Sequence, residues 1–286
     1  KEALSIVEDE IENNQNESLF MSQFIDIGST QLHHDITGGG KTLIFIHAGI
    51  SDMRMWDEQV TEFAKSYRVL RYDVRGWGKS KSPDGKFYHH EDLLALMTHH
   101  DIYKAVLIGA SHGGKVAIDF ALTYPEKVTG LVLVGAAVGG HVSPDDVKAQ
   151  WNAIEEAYES GDLERATDLE LDMWVVGPER QRSDIDVTVL KKARQIIHDL
   201  FKIPEEDDMG NDLPLEPVAL NRLSEIHVPA LVIQGDKDVA YHIPLSEKIA
   251  ADIPNARYVV MENTAHLPNM EQPDTFNKLL RGFLAG

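Results

Sequence analysis

Short aliphatic runs recur along the chain, and stretches with apolar residues at helical spacing separate most of them. Continuous runs of this kind are typical of strands that are buried on both faces of a sheet. The alternation of strand and helix predicts a mainly parallel sheet with helices on both faces. The aliphatic runs are TLIFIHA, YRVLRYDV, KAVLIGA, VTGLVLVGAA, PALVIQG and ARYVVME.

An earlier segment has a different pattern. FIDIGSTQLHHDI, which begins at Phe24, alternates apolar and polar residues around a Gly-Ser turn, and this predicts an antiparallel hairpin. With the hairpin included, the sequence predicts an α/β protein with an eight-stranded, mostly parallel sheet.

One interval, residues 140–226, contains no strand-like run of comparable strength and is helical instead. Ser143 is expected to cap a helix that starts at Pro144 and covers VKAQWNAIEEAYES, and Gly161 is expected to end it. Two more amphipathic segments follow. The pattern predicts a helical lid inserted after the sixth strand of the sheet.

This insertion divides the chain into predicted units. Residues 21–139 and 227–286 would form the core, and residues 140–226 the lid. Residues 1–20 are acidic and amide-rich, and we expect a tail or a non-native extension that precedes a natural start at Met21.

Composition and charge narrow the function. The 286 residues carry a formal net charge of −20, which opposes binding to nucleic acid or anionic lipid, because both need a positive surface. The sequence shows no long apolar run and no basic-then-apolar leader, so we expect a cytoplasmic protein. The absence of cysteine excludes disulfides, thiolate metal sites and a cysteine nucleophile. We expect no cofactor, and any covalent catalysis must use another side chain.

The stretch LIGASHGGKVA, residues 107–117, lies between a strand-like and a helix-like segment. Its G-A-S-H-G fits the G-x-S-x-G nucleophile elbow, in which a serine is held at a sharp strand-to-helix bend. Ser111 would project its hydroxyl above the sheet, and the helix behind it would direct unpaired amides toward any anion formed there. The alternative is a glycine-rich turn with an incidental serine.

A serine hydroxyl near neutral pH needs a histidine to take its proton and a carboxylate to orient that histidine. Among the 13 histidines, His266 follows the last strand-like run, at a carboxyl end where open parallel sheets place their ligands. Asp236 and Asp238 end the preceding run. Either could orient the histidine, and both could be loop-capping residues.

These features resemble the α/β-hydrolase superfamily, and the chain from about Phe24 onward matches it except in the lid. DVRGWGKS looks like the family's D-x-R-G-x-G-x-S turn, IHAGISDMRMW like its H-G-x turn, and GDKD and AHLP like its acid and histidine loops. The order serine, aspartate, histidine is also that of this fold. In the family the acid usually lies three residues after the strand-ending glycine, which selects Asp238.

The resemblance also implies an oxyanion hole, the pair of amides that stabilises negative charge on the attacked carbonyl. One donor would be the amide of His112, the residue after the nucleophile, and the other that of Gly49, with Ile50 as the alternative. The sequence departs from the family by having Ala48 and Ala265 where glycine is usual.

The implied activity is hydrolysis of a small carboxylic ester or lactone through an acyl-enzyme, as in carboxylesterases and 3-oxoadipate enol-lactonase-like hydrolases. Trp151 and Trp174 are candidates for the apolar ceiling of the substrate pocket, and the alternative is that these tryptophans at helical spacing are core residues. Carbon–carbon bond hydrolysis and perhydrolysis use the same catalytic triad and remain open, as does a ligand-binding or signalling protein on the same frame. No metal site is expected, because His112 has no further ligands at suitable spacing.

Overall fold

The computed structural model describes most of the chain and includes all the predicted strands. The expected tail over residues 1–20 and the expected start at Met21 lie outside the described residues. The described residues are 22–28, 30–82, 85–204 and 212–286.

The strands form one eight-stranded sheet in the order β1-β2-β4-β3-β5-β6-β7-β8. The hairpin strand β2 pairs antiparallel with β1 and β4, and all the other pairs are parallel. The predicted mostly parallel sheet and the antiparallel hairpin are therefore confirmed. The strands are β1 Gln23–Ile27, β2 Thr30–Gly38, β3 Thr42–Ile46, β4 Arg68–Tyr72, β5 Ala105–Ala110, β6 Val128–Val134, β7 Ala230–Gly235 and β8 Ala256–Met261.

The aliphatic runs are continuous because both faces of the sheet are covered. In β3, Ile44 and Ile46 belong to one hydrophobic core, whereas Leu43 and Phe45 belong to the core on the opposite face. Alternate residues of β6 divide between the same two cores. A strand that is apolar at every position can therefore bury all its side chains only in the interior of such a sheet.

Helices connect the parallel strands, and shorter helical turns lie between them. Among the described residues, no helix combines the length and the apolar character needed to cross a bilayer. The α-helices are α1 Asp57–Phe63, α2 His89–His99, α3 His112–Thr123, α4 Asp145–Glu159, α5 Leu163–Glu170, α6 Val187–Leu200, α7 His242–Asp252, α8 Pro268–Glu271 and α9 Pro273–Leu284. The 3-10 turns are Met53–Trp56, Pro125–Lys127, Arg182–Asp184, Ala219–Asn221 and Leu223–Glu225.

The segment between β6 and β7 contains α4, α5 and α6, and the π-helix Leu171–Val176 extends α5. We call this segment the helical insertion. Its first helix starts one residue later than predicted, because Pro144 is the extended N-cap residue, with φ −60° and ψ 159°. The prediction that Ser143 caps this helix was wrong, since the Ser143 side chain hydrogen-bonds that of Tyr241. Gly161 follows the helix with a φ of 79°, as expected for a helix end.

Candidate active site

The turn between β5 and α3 holds Ser111 in a strained backbone conformation. Its φ of 49° and ψ of −113° form a combination that non-glycine residues rarely adopt. Glycines permit the close packing around it. A Cβ on Gly113 would lie 2.3 Å from the Ile46 carbonyl oxygen, and one on Gly109 would lie 2.3 Å from the Gly113 carbonyl oxygen. The serine thus precedes the first turn of α3, whose N-terminal amides have no partners within the helix.

The candidate acid and histidine come from the loops after β7 and β8. His266 Nδ1 and Asp238 Oδ2 lie 2.8 Å apart, and both side chains are buried. Asp238 also accepts a hydrogen bond from the Gln234 side chain at 2.8 Å and one from the Val239 amide at 2.7 Å. The structure therefore brings together two side chains that are distant in the sequence.

Electrostatics favour an ionised Asp238. Burial alone would raise its pKa, but the electrostatic attraction and hydrogen bond of His266, together with smaller contributions from His242 and Gln234, hold the pKa of Asp238 below its usual value. An ionised Asp238 accepts the Nδ1–H of His266, which leaves Nε2 as the ring atom that can take a proton. Asp236, the other candidate acid from the sequence, lies 3.5 Å from Lys237 Nζ instead.

Two aromatic rings contact His266. The ring of Trp174 lies 4.5 Å from it and that of His242 lies 4.6 Å from it, between ring centroids. The His266 amide also donates to the Trp174 carbonyl at 3.1 Å. Burial lowers the pKa of His242 to about 3, so this neighbour is neutral. The imidazole is thus positioned through both its ring and its backbone.

A buried arginine ties the helical insertion to the loop that carries His266. The Arg180 guanidinium pairs with Glu271 at 2.6 Å, and the other carboxylate oxygen of Glu271 accepts from the Ala265 amide at 2.6 Å. The loop position just before His266 is therefore fixed from the insertion. Arg180 also donates to three backbone carbonyls, those of Val175 at 2.9 Å, Val176 at 2.8 Å and Asn263 at 2.7 Å.

A cavity of about 380 Å³ lies between the strand ends and the helical insertion, and both Ser111 and His266 line it. We call it the catalytic cavity. Trp151 and Trp174, the two expected ceiling residues, line it as well. A second cavity of about 350 Å³, the lid cavity, adjoins it. The lining residues that the two cavities share are Gly49, Ile50, Trp77, Trp151 and Glu170.

The candidate oxyanion donors are neighbours. A Cβ on Gly49 would lie 3.6 Å from the Cβ of His112. Trp77 contacts both residues, since its Nε1 donates to the Gly49 carbonyl at 2.6 Å and its ring stacks on His112 at 4.7 Å between centroids. Burial lowers the pKa of His112 to about 3, so its imidazole is neutral. Gly49, Ile50 and His112 all line the catalytic cavity together with Ser111.

One group of side chains has the spacing of a metal site. Asp238, His242 and His266 place one ligand atom each within 4.8 Å of one another. Nitrogen and carboxylate ligands of this kind suit zinc. The hydrogen bond between Asp238 and His266 uses one candidate ligand atom of each, so a metal there would compete with that pair.

Sequence reasoning overlooked three residues of the site. Gly135 has a φ of 49°, and a Cβ on it would lie 3.2 Å from His266 Nδ1 and 3.4 Å from Asp238 Oδ2. His242 follows Asp238 by four positions at the start of a helix. Glu170 precedes a predicted ceiling tryptophan by four positions, and that helical spacing was the signal that could have found it.

Comparison with known proteins agrees with this fold. Residues 41–273 match the family model described as alpha/beta hydrolase fold. The chain therefore belongs to the α/β-hydrolase family, and it is a hydrolase-type enzyme of that fold.

Its relatives cleave different bonds. The chain is 29% identical to a 2-hydroxy-6-oxononadienedioate/2-hydroxy-6-oxononatrienedioate hydrolase of Paraburkholderia phymatum, over 92% of this chain and 95% of the relative. It is 25% identical to a thermophilic esterase from Thermogutta terrifontis, with a TM-score of 0.75 over 93% of this chain and 98% of the other. It is also 25% identical to the enol-lactonase from Burkholderia xenovorans LB400, with a TM-score of 0.74 over 92% of this chain and 100% of the other.

Proposed function

We propose that the protein is a serine hydrolase that cleaves a small carboxylic ester or lactone through an acyl-enzyme on Ser111. One observation carries the proposal: Ser111 and His266 line the same cavity, and Asp238 holds the Nδ1 side of the His266 ring at 2.8 Å. A serine, a histidine and a buried carboxylate in this arrangement are the catalytic triad that performs acyl transfer.

In the first half of the reaction, Ser111 Oγ attacks the substrate carbonyl carbon and His266 Nε2 takes the hydroxyl proton. Negative charge grows on the carbonyl oxygen, where the amides of His112 and Gly49 would donate. We assign the second donor to Gly49, with Ile50 as the alternative, and the closeness of Gly49 to His112 supports this: a Cβ on Gly49 would lie 3.6 Å from the His112 Cβ. The intermediate collapses to an acyl-enzyme, and His266 gives the proton to the departing alkoxide.

In the second half, water attacks the acyl carbon and His266 Nε2 takes a proton from it. The bond to Ser111 Oγ breaks, and the serine recovers its proton from the histidine. The products are a carboxylic acid and an alcohol, or one hydroxy acid when the substrate is a lactone. Asp238 stays ionised throughout and stabilises the imidazolium that forms twice in each cycle.

The shape of the site supports a substrate with one apolar arm. The lid cavity adjoins the catalytic cavity and is walled largely by apolar side chains of the helical insertion, so the acyl chain or the alcohol can extend into it. The apolar walls include Ile154, Ile197, Leu200, Phe201 and Ile203.

Carbon–carbon bond hydrolysis is the second candidate, and similarity to the Paraburkholderia phymatum hydrolase favours it. The name of that relative's substrate carries two carboxylates. Among the described residues that line the two cavities there is no lysine and no arginine to bind a carboxylate. The lack of a cationic side chain in this lining favours hydrolysis of an ester or lactone as the function of this chain.

The test is turnover of a panel of p-nitrophenyl esters, small lactones and a vinylogous diketone diacid by the purified protein. We expect ester or lactone turnover, and we expect Ser111→Ala to lower kcat by at least about 10,000-fold, because it removes the nucleophile. Ser160→Ala is the matched control, since it deletes the hydroxyl of an exposed serine in the helical insertion, which donates to the Ala157 carbonyl at 2.8 Å.

The other outcomes are distinct. Turnover of the diketone alone would favour the second candidate. Ester turnover that survives Ser111→Ala would contradict the assigned nucleophile, and a folded protein that turns over nothing in the panel would favour a ligand-binding protein on this frame.

A further inference from the structure

A carboxyl oxygen that has no hydrogen-bond partner among the described residues lies at the junction of the two cavities. Glu170, the last residue of α5, lines both of them. Its Oε2 atom is buried and has no hydrogen-bond partner in the part of the chain that the structure describes. Burial raises the pKa of Glu170 to about 7, and a hydrogen bond from the Trp174 side chain offsets part of that rise. An unsatisfied buried carboxyl is costly, which points to a group that arrives from outside the protein.

Buried carboxyls elsewhere in the protein pair with arginines. Asp92 accepts two hydrogen bonds from Arg75, at 2.8 Å and 2.5 Å, and Glu271 pairs with Arg180 at 2.6 Å. These groups tie elements of the fold together, as buried carboxylates usually do. Glu170 differs because both cavities meet at its side chain and the described chain offers no cation to it.

The charge of the residues that line the two cavities also favours a ligand without negative charge. Burial lowers the pKa of three histidines that line the catalytic cavity: to about 3 for His112 and His242, with a downward shift also for His141. Their imidazoles are therefore neutral at neutral pH. With no lysine or arginine among the described lining residues, carboxyl groups set the local charge.

Aromatic residues line the same cavities as this carboxyl. Trp77 and Trp151 share the junction with Glu170, and Trp174 and Tyr241 complete the aromatic lining of the catalytic cavity. Trp151 is 38% exposed, so core packing does not account for its position. Aromatic faces beside a carboxylate are the environment that binds an organic cation, because ring quadrupoles and the negative charge both attract it.

Building on the proposed function, we propose that the substrate carries an ammonium group and that Glu170 binds it at the junction of the two cavities, with the tryptophan rings beside it. Glu170 is then the specificity-determining residue of the site. It attracts cationic esters or lactones and repels those with a carboxylate near this position. The net charge of −20 would draw such substrates toward the protein.

The test compares two esters of equal shape. Choline butyrate carries a trimethylammonium group, and 3,3-dimethylbutyl butyrate replaces its nitrogen with carbon. Their hydrolysis is followed by titration of the released acid at pH 8. We expect the wild-type kcat/KM to favour the cationic ester at least about tenfold, the size of one charge-assisted contact with cation–π support. Glu170→Gln should bring that ratio to within about threefold of unity.

Glu156→Gln is the matched control. It removes one negative charge from an exposed position of α4, which is not among the residues lining either cavity. The control should keep the wild-type ratio. A ratio near one in the wild type, an unchanged ratio in Glu170→Gln, or an equal loss in Glu156→Gln would each overturn the proposal.

A binding measurement separates this proposal from the proposed function. Calorimetric titration with choline and with 3,3-dimethylbutanol needs no turnover. Tighter binding of choline by the wild type, lost in Glu170→Gln, would support the cation site even if neither ester were cleaved. Cleavage of both esters with no preference for choline in either assay would overturn the cation site and leave the serine hydrolase intact.

Discussion

Glu170 carries a cost in folding free energy. Its pKa rises from 4.5 to about 7 because burial disfavours the charged form. Below pH 4.5 the group is protonated in both the folded and the unfolded chain, and there is no penalty. Between pH 4.5 and about 7 the folded state binds more protons than the unfolded state, so the stability falls as pH rises. Above that range the full penalty remains, on the order of 3 kcal/mol.

Glu170→Gln should therefore stabilise the protein in a pH-dependent way, because glutamine keeps the shape and has no charge to bury. Urea unfolding should show that the free energy of unfolding gained by the variant is larger at pH 8 than at pH 5 by roughly 2 kcal/mol. The exposed Glu156→Gln should show no such difference. A Glu170→Gln gain equal at the two pH values would mean that the carboxyl is not held in a disfavoured ionised state.

At the residue scale, the sequence predicted the positions that are encoded by contiguous residues. Ser111 could be predicted because the strand, the glycines and the helix that define its bend are contiguous, and the order of the loops pointed to His266. Physics alone left Asp236 and Asp238 open, since a turn can direct either side chain to the histidine. Glu170 was not predicted, because a sequence does not show which carboxyl oxygen is left without a hydrogen-bond partner once the chain has packed around it.

At the scale of elements, the helical insertion and the histidine loop meet through Arg180. Its four hydrogen-bonded partners are carbonyls of the π-helix and of the loop after β8, and the carboxylate of Glu271. The π-helix also carries Trp174, which contacts His266. Arg180 is therefore a positioning residue: it acts on the imidazole through the elements that hold it.

Removing that guanidinium should cost both stability and turnover. Arg180→Ala leaves the buried Glu271 unpaired, and we expect the free energy of unfolding to fall by about 3 to 5 kcal/mol. Arg180→Lys keeps the charge but not the planar set of donors, so it should fold and show a lower kcat with a smaller change in KM. Thermal unfolding and steady-state kinetics measure both effects.

Arg182→Ala is the control, two positions along the chain. Arg182 is 43% exposed and pairs with Asp172, which is 53% exposed, so its loss should cost less than about 1 kcal/mol. Equal effects of Arg180→Lys and Arg182→Ala on kcat would show that the buried pair does not position the histidine.

Element boundaries were harder to predict than the elements themselves. The strands follow from runs that only a doubly covered sheet can bury. The start of α4 was misplaced by one residue because a serine next to a proline is a good cap in isolation, yet the Ser143 hydroxyl has a tertiary partner in Tyr241. The sequence did not predict the π-helix, whose Val175 and Val176 carbonyls accept hydrogen bonds from Arg180 and whose Leu171 and Val175 pack into the core on one face of the sheet.

At the scale of the whole molecule, the sheet order explains why residues that are distant in the sequence meet at one edge of the sheet. Strands β3, β5, β7 and β8 are all parallel, so the loops at their carboxyl ends emerge at the same edge of the sheet. Gly49, Ser111, Asp238 and His266 follow these strands in turn. The meeting of these loops at one edge of the sheet could be predicted from the sequence. The division of the pocket into two cavities could not, because it depends on how the helical insertion lies over the strand ends.

The central claim is that Ser111 becomes nucleophilic because the fold brings His266 and Asp238 to it. The most direct measurement is reaction of the folded protein with a fluorophosphonate, followed by intact mass and peptide mapping. We expect a single adduct on the peptide that contains Ser111, none in Ser111→Ala, and labelling at least about 100-fold slower in His266→Ala, which lacks the base. An adduct on another residue, or labelling of Ser111→Ala at the wild-type rate, would contradict the account.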